Sequence, residues 1–482
     1  MSLSAPNRWA VLGLVCVAQF MVILDATIVN VSLPTIEHAL HFSPTGLQWI
    51  VNAYTLVFGG FLLLGGRAAD LFGTQRLFIA GLVIFTGASL VNGVATSSGM
   101  LIGGRALQGL GAALVSPAAL AIVTRTFSDG AERTKALGVW SAIAAGGGAA
   151  GLLLGGVLTE TLSWRWVFFI NLPIGIVAGL LALRMITNEV GEEKPETSDI
   201  AGAVTVTGGL LVLVYAIVKA GSYGWGSGKT IGLFLAAIAL LVAFVVTELR
   251  SRAPLMRLDI FRIRSLTASN TAMVLVASGL FSMFFFASLY VQQLRGYSPI
   301  QAGLAFLPFT LGIVIGAGLA QSLIKRIGVR AVTVGGLSIA TVGMLLYTQL
   351  SLTGSYFGEL FPAVMVTSIG MGLTFVPVTL LATTNVPGED AGLASGLFNT
   401  SQQIGGALGL AILSTLAATR TSHKTAGLGH DAALLSGYHL AFFIGAIWMA
   451  AAIGVLVLLV RKRDVAQIQE AAVAEEAIPV AA

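Results

Sequence analysis

The stretch RWAVLGLVCVAQFMVILDATIVNVSLP, from Arg8 to Pro34, decides the fold. Between its two ends the only charged side chain is Asp25. A helix needs about 20 mostly apolar residues to cross a bilayer, and the apolar core of a signal peptide spans only about 7–15. The stretch therefore predicts a first membrane span that is retained and that ends at Pro34, with one carboxylate in its interior.

The composition of the whole chain agrees with this interpretation. Of its 482 residues, 56% are apolar and 10% are charged, whereas soluble domains carry about 25% charged residues. The mean hydropathy is +0.91. The apolar stretches are continuous and do not alternate, which excludes an outer-membrane barrel. The single cysteine, Cys16, permits no internal disulfide. These features predict an all-α integral membrane protein.

Fourteen apolar runs are separated by polar breaks. The predicted spans are 9–32, 46–66, 76–95, 100–124, 134–159, 164–186, 200–219, 230–248, 267–291, 299–323, 329–350, 357–384, 392–418 and 437–460. With this count, nineteen of the 26 Lys and Arg residues fall on one side, six fall on the other, and Arg105 lies inside a span. Because Lys and Arg concentrate on the cytoplasmic side, both termini are predicted to be cytoplasmic.

Short motifs recur 255 residues apart. Phe42-Ser43-Pro44 returns as Tyr297-Ser298-Pro299, Gly73 returns as Gly328, and the glycines of the fifth helix correspond to Gly405, Gly406 and Gly409. A shift of eight helices keeps the direction, which predicts two parallel six-helix repeats. The predicted domains are an N-terminal bundle (1–186), a linker with inserted helices 7 and 8 (187–266), a C-terminal bundle (267–460) and a disordered cytoplasmic tail (461–482).

Two charged side chains lie well inside predicted spans, Asp25 and Arg105, whereas Glu248 and Glu359 fall near helix ends, where water can reach them. Charges inside the bilayer are costly and usually functional. We interpret Asp25 as a proton or substrate site, or alternatively as a polar group at a helix bend. Arg105 stays charged and needs hydrogen-bond acceptors, either Asp25 or backbone carbonyls. We interpret it either as a residue tied to proton coupling or as a clamp that only holds helices together.

Uncharged polar residues inside the spans form a second set of candidates, because such groups face the bundle interior. The candidates for lining a substrate cavity are Asn30, Asn52, Tyr54, Gln108, Gln292, Gln293, Asn399 and Gln403.

Two glycine-containing segments complete the candidate set. Gly65 to Arg76, GGRAADLFGTQR, is predicted to be a tight cytoplasmic turn in which Gly66 and Gly73 allow close approach and Asp70 caps a helix. Gly147, Gly151 and Gly155 share one face of the fifth helix, which predicts either plain packing or a surface on which the two halves rock.

Several chemistries have no signature in the sequence. No GxxxxGK[ST] loop for a nucleotide is present, the five histidines lack metal-ligand spacing on one helix face, and no buried nucleophile has an evident base. The basic residues form no single patch for nucleic acid. The chain is therefore predicted not to be an enzyme and to hold neither metal nor cofactor.

The motifs LDATIVNVSLP, GGRAADLFG, RALQGLGAA, WRWVFFINLPIG and GLFNTSQQIGGALG, with the glycine-rich fifth helix, resemble one family. It comprises the fourteen-helix drug/proton antiporters of the major facilitator superfamily (QacA- and EmrB-like), and the resemblance extends from about Asp25 to Arg420. It implies that Asp25 is the acid of helix 1 and Arg105 the arginine tied to proton coupling. It also implies a conformational-switch loop at Gly66, Asp70, Gly73 and Arg76.

The sequence departs from the family pattern at two places. Leu71, Thr74 and Gln75 stand where the family loop has basic residues, and Leu152 follows Gly151 where the antiporter signature has Gly-Pro. The second departure weakens the case for antiport but leaves the transporter interpretation unchanged.

Taken together, the residues and the resemblance predict efflux of hydrophobic or cationic small molecules across the bacterial plasma membrane, driven by the proton gradient. The expected partners are these substrates, protons and membrane lipids. Export of one self-made metabolite, or uptake, is the alternative. A membrane-embedded enzyme or sensor is remote, because no connection is long enough to hold a soluble domain.

Overall fold

The computed structural model describes residues 7–43, 45–127, 130–186, 199–251, 254–383, 386–387, 390–461 and 465. Within these ranges it contains helices and no strand. The long helices are α1 (Arg8–Leu40), α2 (Trp49–Phe72), α3 (Thr74–Gly93), α4 (Ser98–Thr126), α5 (Gly130–Thr161), α6 (Trp166–Met185), α7 (Ile200–Tyr223), α8 (Gly228–Arg250), α9 (Arg264–Leu294), α10 (Pro299–Ile327), α11 (Val329–Tyr347), α12 (Tyr356–Thr383), α13 (Ala391–Leu428) and α14 (His430–Leu459). A 3₁₀ turn, Leu258–Arg262, precedes α9.

The fourteen helices correspond one to one with the predicted spans. Thirteen are long and apolar enough to cross a membrane by length and composition, and the remaining one, α5, has 32 residues. A helix satisfies all its backbone hydrogen bonds internally, which is why apolar runs of this length become helices in lipid. The predicted tail after 461 lies outside the described residues, apart from 465.

Several helices extend beyond their apolar runs, and here the predicted ends are wrong. Pro34 does not end α1: it removes one helical hydrogen bond, a loss that spanning helices tolerate, and the helix continues to Leu40. The predicted loop from Gly65 is helical through Phe72, and only Gly73 separates α2 from α3. Gly429 alone separates α13 from α14. Hydropathy marks where an apolar run ends, but a helix can continue beyond that point with polar residues. This is why the predicted ends fall short of the observed ones.

The chain divides into two compact units. The first comprises Met1–Arg257 with Gly296–Leu304, and the second comprises Leu258–Arg295 with Ala305–Ala482. In the first unit α1 packs on α5 and α3 on α4, and in the second unit α9 packs on α13 and α11 on α12. These are the pairings that two copies of one six-helix repeat require.

The inserted helices α7 and α8 belong to the first unit and pack on each other. Helix α7 also contacts α2: the Trp49 and Tyr215 rings lie 6.3 Å apart, and a Cβ at Gly60 would meet Thr207. Of the thirteen apolar helices, α8 is the least buried, because only 11% of its most apolar segment lies inside the described structure. Its apolar surface, which includes Leu235 and Leu249, is therefore suited to lipid.

Candidate functional site

Asp25 and Arg105 meet in the interior of the first unit. The Arg105 Nη1 atom donates to Asp25 Oδ2 at 2.5 Å. Asp25 is 0% exposed and Arg105 1%, so the pair is removed from water. The predicted acceptors of Arg105 were Asp25 or backbone carbonyls, and the structure shows both kinds.

Two amide side chains complete the shell of the carboxylate. Gln108 Nε2 donates to Asp25 Oδ1 at 2.7 Å, and Asn171 Nδ2, from α6, donates to the same oxygen at 2.9 Å. Both amides also donate to Ser89 Oγ on α3, at 2.8 and 3.3 Å. Asp25 therefore accepts three hydrogen bonds, two from α4 and one from α6, and its side chain is fully buried.

Arg105 has neutral partners besides Asp25. Its Nε donates to the carbonyl oxygen of Ile50 at 2.9 Å, and its Nη1 also donates to Gln108 Oε1 at 2.8 Å. The guanidinium carbon lies 4.3 Å from the centre of the Tyr54 ring and 5.9 Å from that of Phe168. These contacts hold the cation in place independently of the charge on Asp25.

The glycine face of α5 positions the helix that carries Asp25. A Cβ at Gly147 would lie 3.1 Å from Ile23, and one at Gly155 would lie 2.5 Å from the carbonyl oxygen of Ile28. At Gly151 it would clash with Thr27 and lie 2.9 Å from the Leu24 carbonyl oxygen. The face packs α1 directly against α5, which favours the packing interpretation.

The turn after α2 differs in detail from its prediction. The close approach is at Gly65, where a Cβ would clash with the Ala113 carbonyl, whereas at Gly66 the nearest atom would be 3.9 Å away. Gly73 has φ 90°, as expected of a glycine turn. Arg76 is exposed.

Asp70 lies in the last turn of α2, not at the start of α3, and its side chain is outside the described part of the structure. Gln75 stands where the family has a basic residue, and it acts as a cap. Its Nε2 donates to the carbonyl oxygens of Ala182 and Ile186, at the C-terminal end of α6, at 3.2 and 2.6 Å.

Two further candidates in the first unit bond within their own helices. Asn30 Nδ2 donates to the carbonyl oxygens of Ala26 and Thr27 at 3.4 and 3.3 Å. Asn52 Nδ2 donates to Gln48 Oε1 at 3.3 Å, and both residues are fully buried. Tyr54 and Gln108, in contrast, belong to the cluster around Asp25 and Arg105.

The candidates of the second unit do not form a comparable cluster among its described residues. Gln292 bonds Ser288 on its own helix, and Gln293 Oε1 accepts from Tyr438 at 2.9 Å. Asn399 is exposed and bonds its own helix, while Gln403 is half-buried.

The remaining carboxylates also have defined surroundings. Glu359 accepts from the Ser351 backbone N–H at 2.8 Å and from its hydroxyl at 2.9 Å, and so orders the loop before α12. The expectation that water reaches Glu248 is wrong, because its side chain is 4% exposed. The chain after α8 folds back over it, and the Met256 N–H donates to Glu248 Oε2 at 3.1 Å.

Asn171, Ser89 and Asn92 belong to the cluster but were not among the candidates. Asn92 Nδ2 donates to Gln108 Oε1 at 2.8 Å, and all three residues are fully buried. Asn92 and Asn171 interrupt apolar runs, and this could have marked them as candidates. Ser89 could not have been found in this way, because serine is common in spanning helices. No group of three His, Cys, Asp or Glu side chains that could hold a metal ion occurs in the part of the chain described.

Comparison with known proteins gives matches in family, in sequence and in fold. The model of the Major Facilitator Superfamily matches residues 15–410. Puromycin resistance protein pur8 of Streptomyces alboniger is 40% identical over 457 residues, covering 94% of this chain and 90% of that protein. Cephamycin export protein CmcT of Amycolatopsis lactamdurans is 40% identical over 445 residues, covering 91% and 90%. A bacterial homologue of the human lysosomal transporter Spinster matches in fold with a TM-score of 0.70 at 16% identity, covering 96% of this chain and 98% of that one.

The chain therefore belongs to the major facilitator superfamily. It is an all-helical, multi-pass membrane transporter whose described residues form fourteen long helices, thirteen of them long and apolar enough to span a membrane, and membership of this family makes it a transporter, not an enzyme. The superfamily predicted from the sequence motifs is confirmed, and the resistance and export proteins among its relatives agree with the drug/proton antiporter branch.

Proposed function

We propose that this transporter exports hydrophobic, often cationic, small molecules across a bacterial plasma membrane in exchange for protons. In this proposal both termini are cytoplasmic, and outside protons enter as substrate leaves. Asp25 is the group that exchanges the proton, and Arg105 sets the charge balance around it. No cofactor takes part, because the proton gradient supplies the driving force.

The observation that carries the proposal is the complete burial of a hydrogen-bonded carboxylate near the middle of a spanning helix. A carboxylate in this position is costly unless its charge is used or paired. Asp25 is paired, but every one of its partners also has a second partner: Arg105 has Ile50, and both Gln108 and Asn171 have Ser89. Protonation of Asp25 can therefore release Arg105 without leaving any of these groups unbonded.

This arrangement supports a simple coupling step. When Asp25 takes up a proton, its attraction to Arg105 is lost, while the amides still donate to the carbonyl oxygen of the acid. Around Asp25, helix α1 is then held to α4 and α6 by neutral hydrogen bonds only. A change in the charge of one residue thus alters how firmly α1 is tied to α4, while the substrate and proton sites are exposed alternately to the two sides.

The substrate range has two interpretations, and the relatives favour neither exclusively. Multidrug resistance protein Stp of Mycobacterium tuberculosis is 34% identical over 414 residues, which supports a broad range. The relatives named for puromycin and cephamycin are each named for one antibiotic, which supports export of a single metabolite as the alternative.

Inverted membrane vesicles test the function directly. A panel of fluorescent cations and antibiotics is offered to vesicles that contain the wild-type chain, with an inside-acid gradient. We expect several compounds to accumulate, and a protonophore to abolish the accumulation. Accumulation of one compound class only supports the metabolite exporter. Accumulation that survives the protonophore contradicts proton coupling.

A further inference from the structure

A pair of buried carboxylates lies at one end of the inserted hairpin, apart from the Asp25 cluster. Asp199 immediately precedes α7 and is 7% exposed, and Glu248 lies in the last turn of α8 and is 4% exposed. The proposed function uses neither residue.

Each carboxylate has one oxygen bonded and one oxygen free of partners. Asp199 Oδ1 accepts from the Gly202 N–H at 2.7 Å, and Glu248 Oε2 accepts from the Met256 N–H at 3.1 Å. Asp199 Oδ2 and Glu248 Oε1 are buried without a hydrogen-bond partner in the described structure. Unpartnered buried oxygens of this kind need a ligand or a proton.

The two free oxygens converge beside Gly202. A Cβ at Gly202 would lie 2.8 Å from Glu248 Oε1 and 3.0 Å from Asp199 Oδ2. Both oxygens therefore surround one small space, and the absence of a side chain at Gly202 keeps it open. Two negative charges this close, out of water, disfavour each other strongly.

No donor, charged or neutral, bonds to either of the two free oxygens in the described structure. A divalent cation prefers six or more oxygen ligands, and no group of three His, Cys, Asp or Glu side chains that could hold a metal ion occurs among the described residues. One proton, in contrast, requires no ligand beyond the two carboxylates themselves.

We propose that Asp199 and Glu248 form a proton-binding site in which one proton joins Glu248 Oε1 to Asp199 Oδ2 beside Gly202. The proton resides on Glu248, because the C-terminal end of α8 disfavours an anion. Asp199 accepts from the Gly202 N–H at the N-terminal end of α7, where the helix dipole favours a negative charge. The shared proton ties the start of α7 to the end of α8.

Infrared spectroscopy of the purified full-length protein tests this site through the carbonyl stretch of a protonated carboxyl group. We expect the wild type to show this band at neutral pH, Glu248→Gln to lose it, and Asp25→Asn and Glu359→Gln to retain it. A wild type without the band, or a band unchanged in Glu248→Gln, overturns the proposal.

Thermal unfolding gives a second readout that does not depend on transport. The proton stabilises the hairpin at acidic and neutral pH and is lost as the pH rises, so the wild type should lose stability on the alkaline side. Glu248→Gln, a neutral mimic, should lack this loss. Gly202→Ala should displace the pair and lower stability, whereas Gly208→Ala, whose nearest neighbour would be 3.8 Å away, should not. Stabilisation by Mg²⁺ or Ca²⁺ in the wild type but not in Glu248→Gln identifies a cation site and overturns the proton.

Discussion

Asp25 accepts hydrogen bonds from three donors, and each of these donors also has another partner. A buried ion pair contributes little net stability, but removing one partner leaves an uncompensated charge. This asymmetry suits a residue that changes charge during a cycle, because the neutral acid still has donors and Arg105 still has acceptors. It also makes the cluster sensitive to single substitutions.

Arg105→Ala should abolish uphill transport and lower the free energy of unfolding by about 3–5 kcal/mol, because it leaves Asp25 buried without its cation. Arg105→Lys should recover part of both. A lysine keeps the charge, but its compact ammonium cannot reproduce the planar fork that reaches Asp25, Ile50 and Gln108 together. Transport in vesicles and thermal unfolding measure the two effects. Equal activity of the alanine and lysine variants contradicts a role for the charge.

Asn171→Ala should weaken proton-driven transport less than Arg105→Ala does, and it should cost about 1–3 kcal/mol of stability. The substitution removes one of three donors to a buried carboxylate but leaves the cation in place. Gln349→Ala is the matched control, because Gln349 is an exposed amide that bonds the adjacent Thr348 and belongs to no candidate site. If both variants transport equally well, Asn171 is not part of the coupling site.

The sequence predicted that Arg105 would find acceptors in Asp25 or in backbone carbonyls, because a charge in hydrocarbon must find partners, and it has both. Of the amides that bind Asp25, Gln108 was among the candidates and Asn171 was not. Asn171 and Gln293 look alike as polar residues inside apolar runs, yet one binds Asp25 and the other binds Tyr438. Which uncharged polar residue reaches the site depends on helix rotation and neighbours, and periodicity in a mostly apolar helix does not fix that rotation.

At the scale of helices, the contact between α1 and α5 sets where Asp25 lies. The backbones approach closely because glycines line one face of α5, and Thr27 on α1 fills the space that a side chain at Gly151 would need. Small residues at such contacts are the usual basis of helix packing in lipid.

Gly151→Ala should impair transport strongly, because the added methyl group clashes with Thr27 and displaces α1 and with it Asp25. Gly148→Ala is the matched control: it adds the same methyl group three residues away, where no atom lies within 4 Å. Vesicle transport at equal expression compares the two. Wild-type activity in Gly151→Ala contradicts the idea that this contact positions the site.

Hydropathy located every helix but not where each one ends. Gly73, Gly328 and Gly429 all have positive φ and stand alone between two helices. A residue with a side chain is strained in that conformation, so glycine is the signal for the junction. Residues 419–436 are mostly polar and were therefore predicted to be a loop, but all of them except Gly429 are helical. A helix outside the bilayer does not need to be apolar.

At the scale of the whole molecule, the repeat extends to individual caps. Gln75 in the first unit binds carbonyls at the end of α6, and Arg330, 255 residues later, donates from Nη2 to the Val457 carbonyl near the end of α14 at 2.7 Å. The charged cluster is not repeated: Leu280 stands at the position that corresponds to Asp25. The two repeats therefore share a scaffold but differ in chemistry.

Cysteine labelling tests the predicted topology. His41→Cys and Thr425→Cys, both at exposed positions, should react with an impermeant reagent added outside intact cells, whereas Arg133→Cys should react only after permeabilisation. The background is a chain with Cys16→Ala, since Cys16 is the one native cysteine and is buried. Labelling of position 133 from outside contradicts cytoplasmic termini.

The coupling role of Asp25 is tested most directly by proton release from detergent-purified protein when a transported substrate is added. The wild type should release protons over a defined pH range. Asp25→Asn, which keeps the size and hydrogen bonding of the side chain but cannot titrate, should bind substrate and release none. Glu359→Gln should behave like the wild type, because Glu359 orders a loop through Ser351. Proton release by Asp25→Asn with the pH dependence of the wild type would show that Asp25 is not the coupling site.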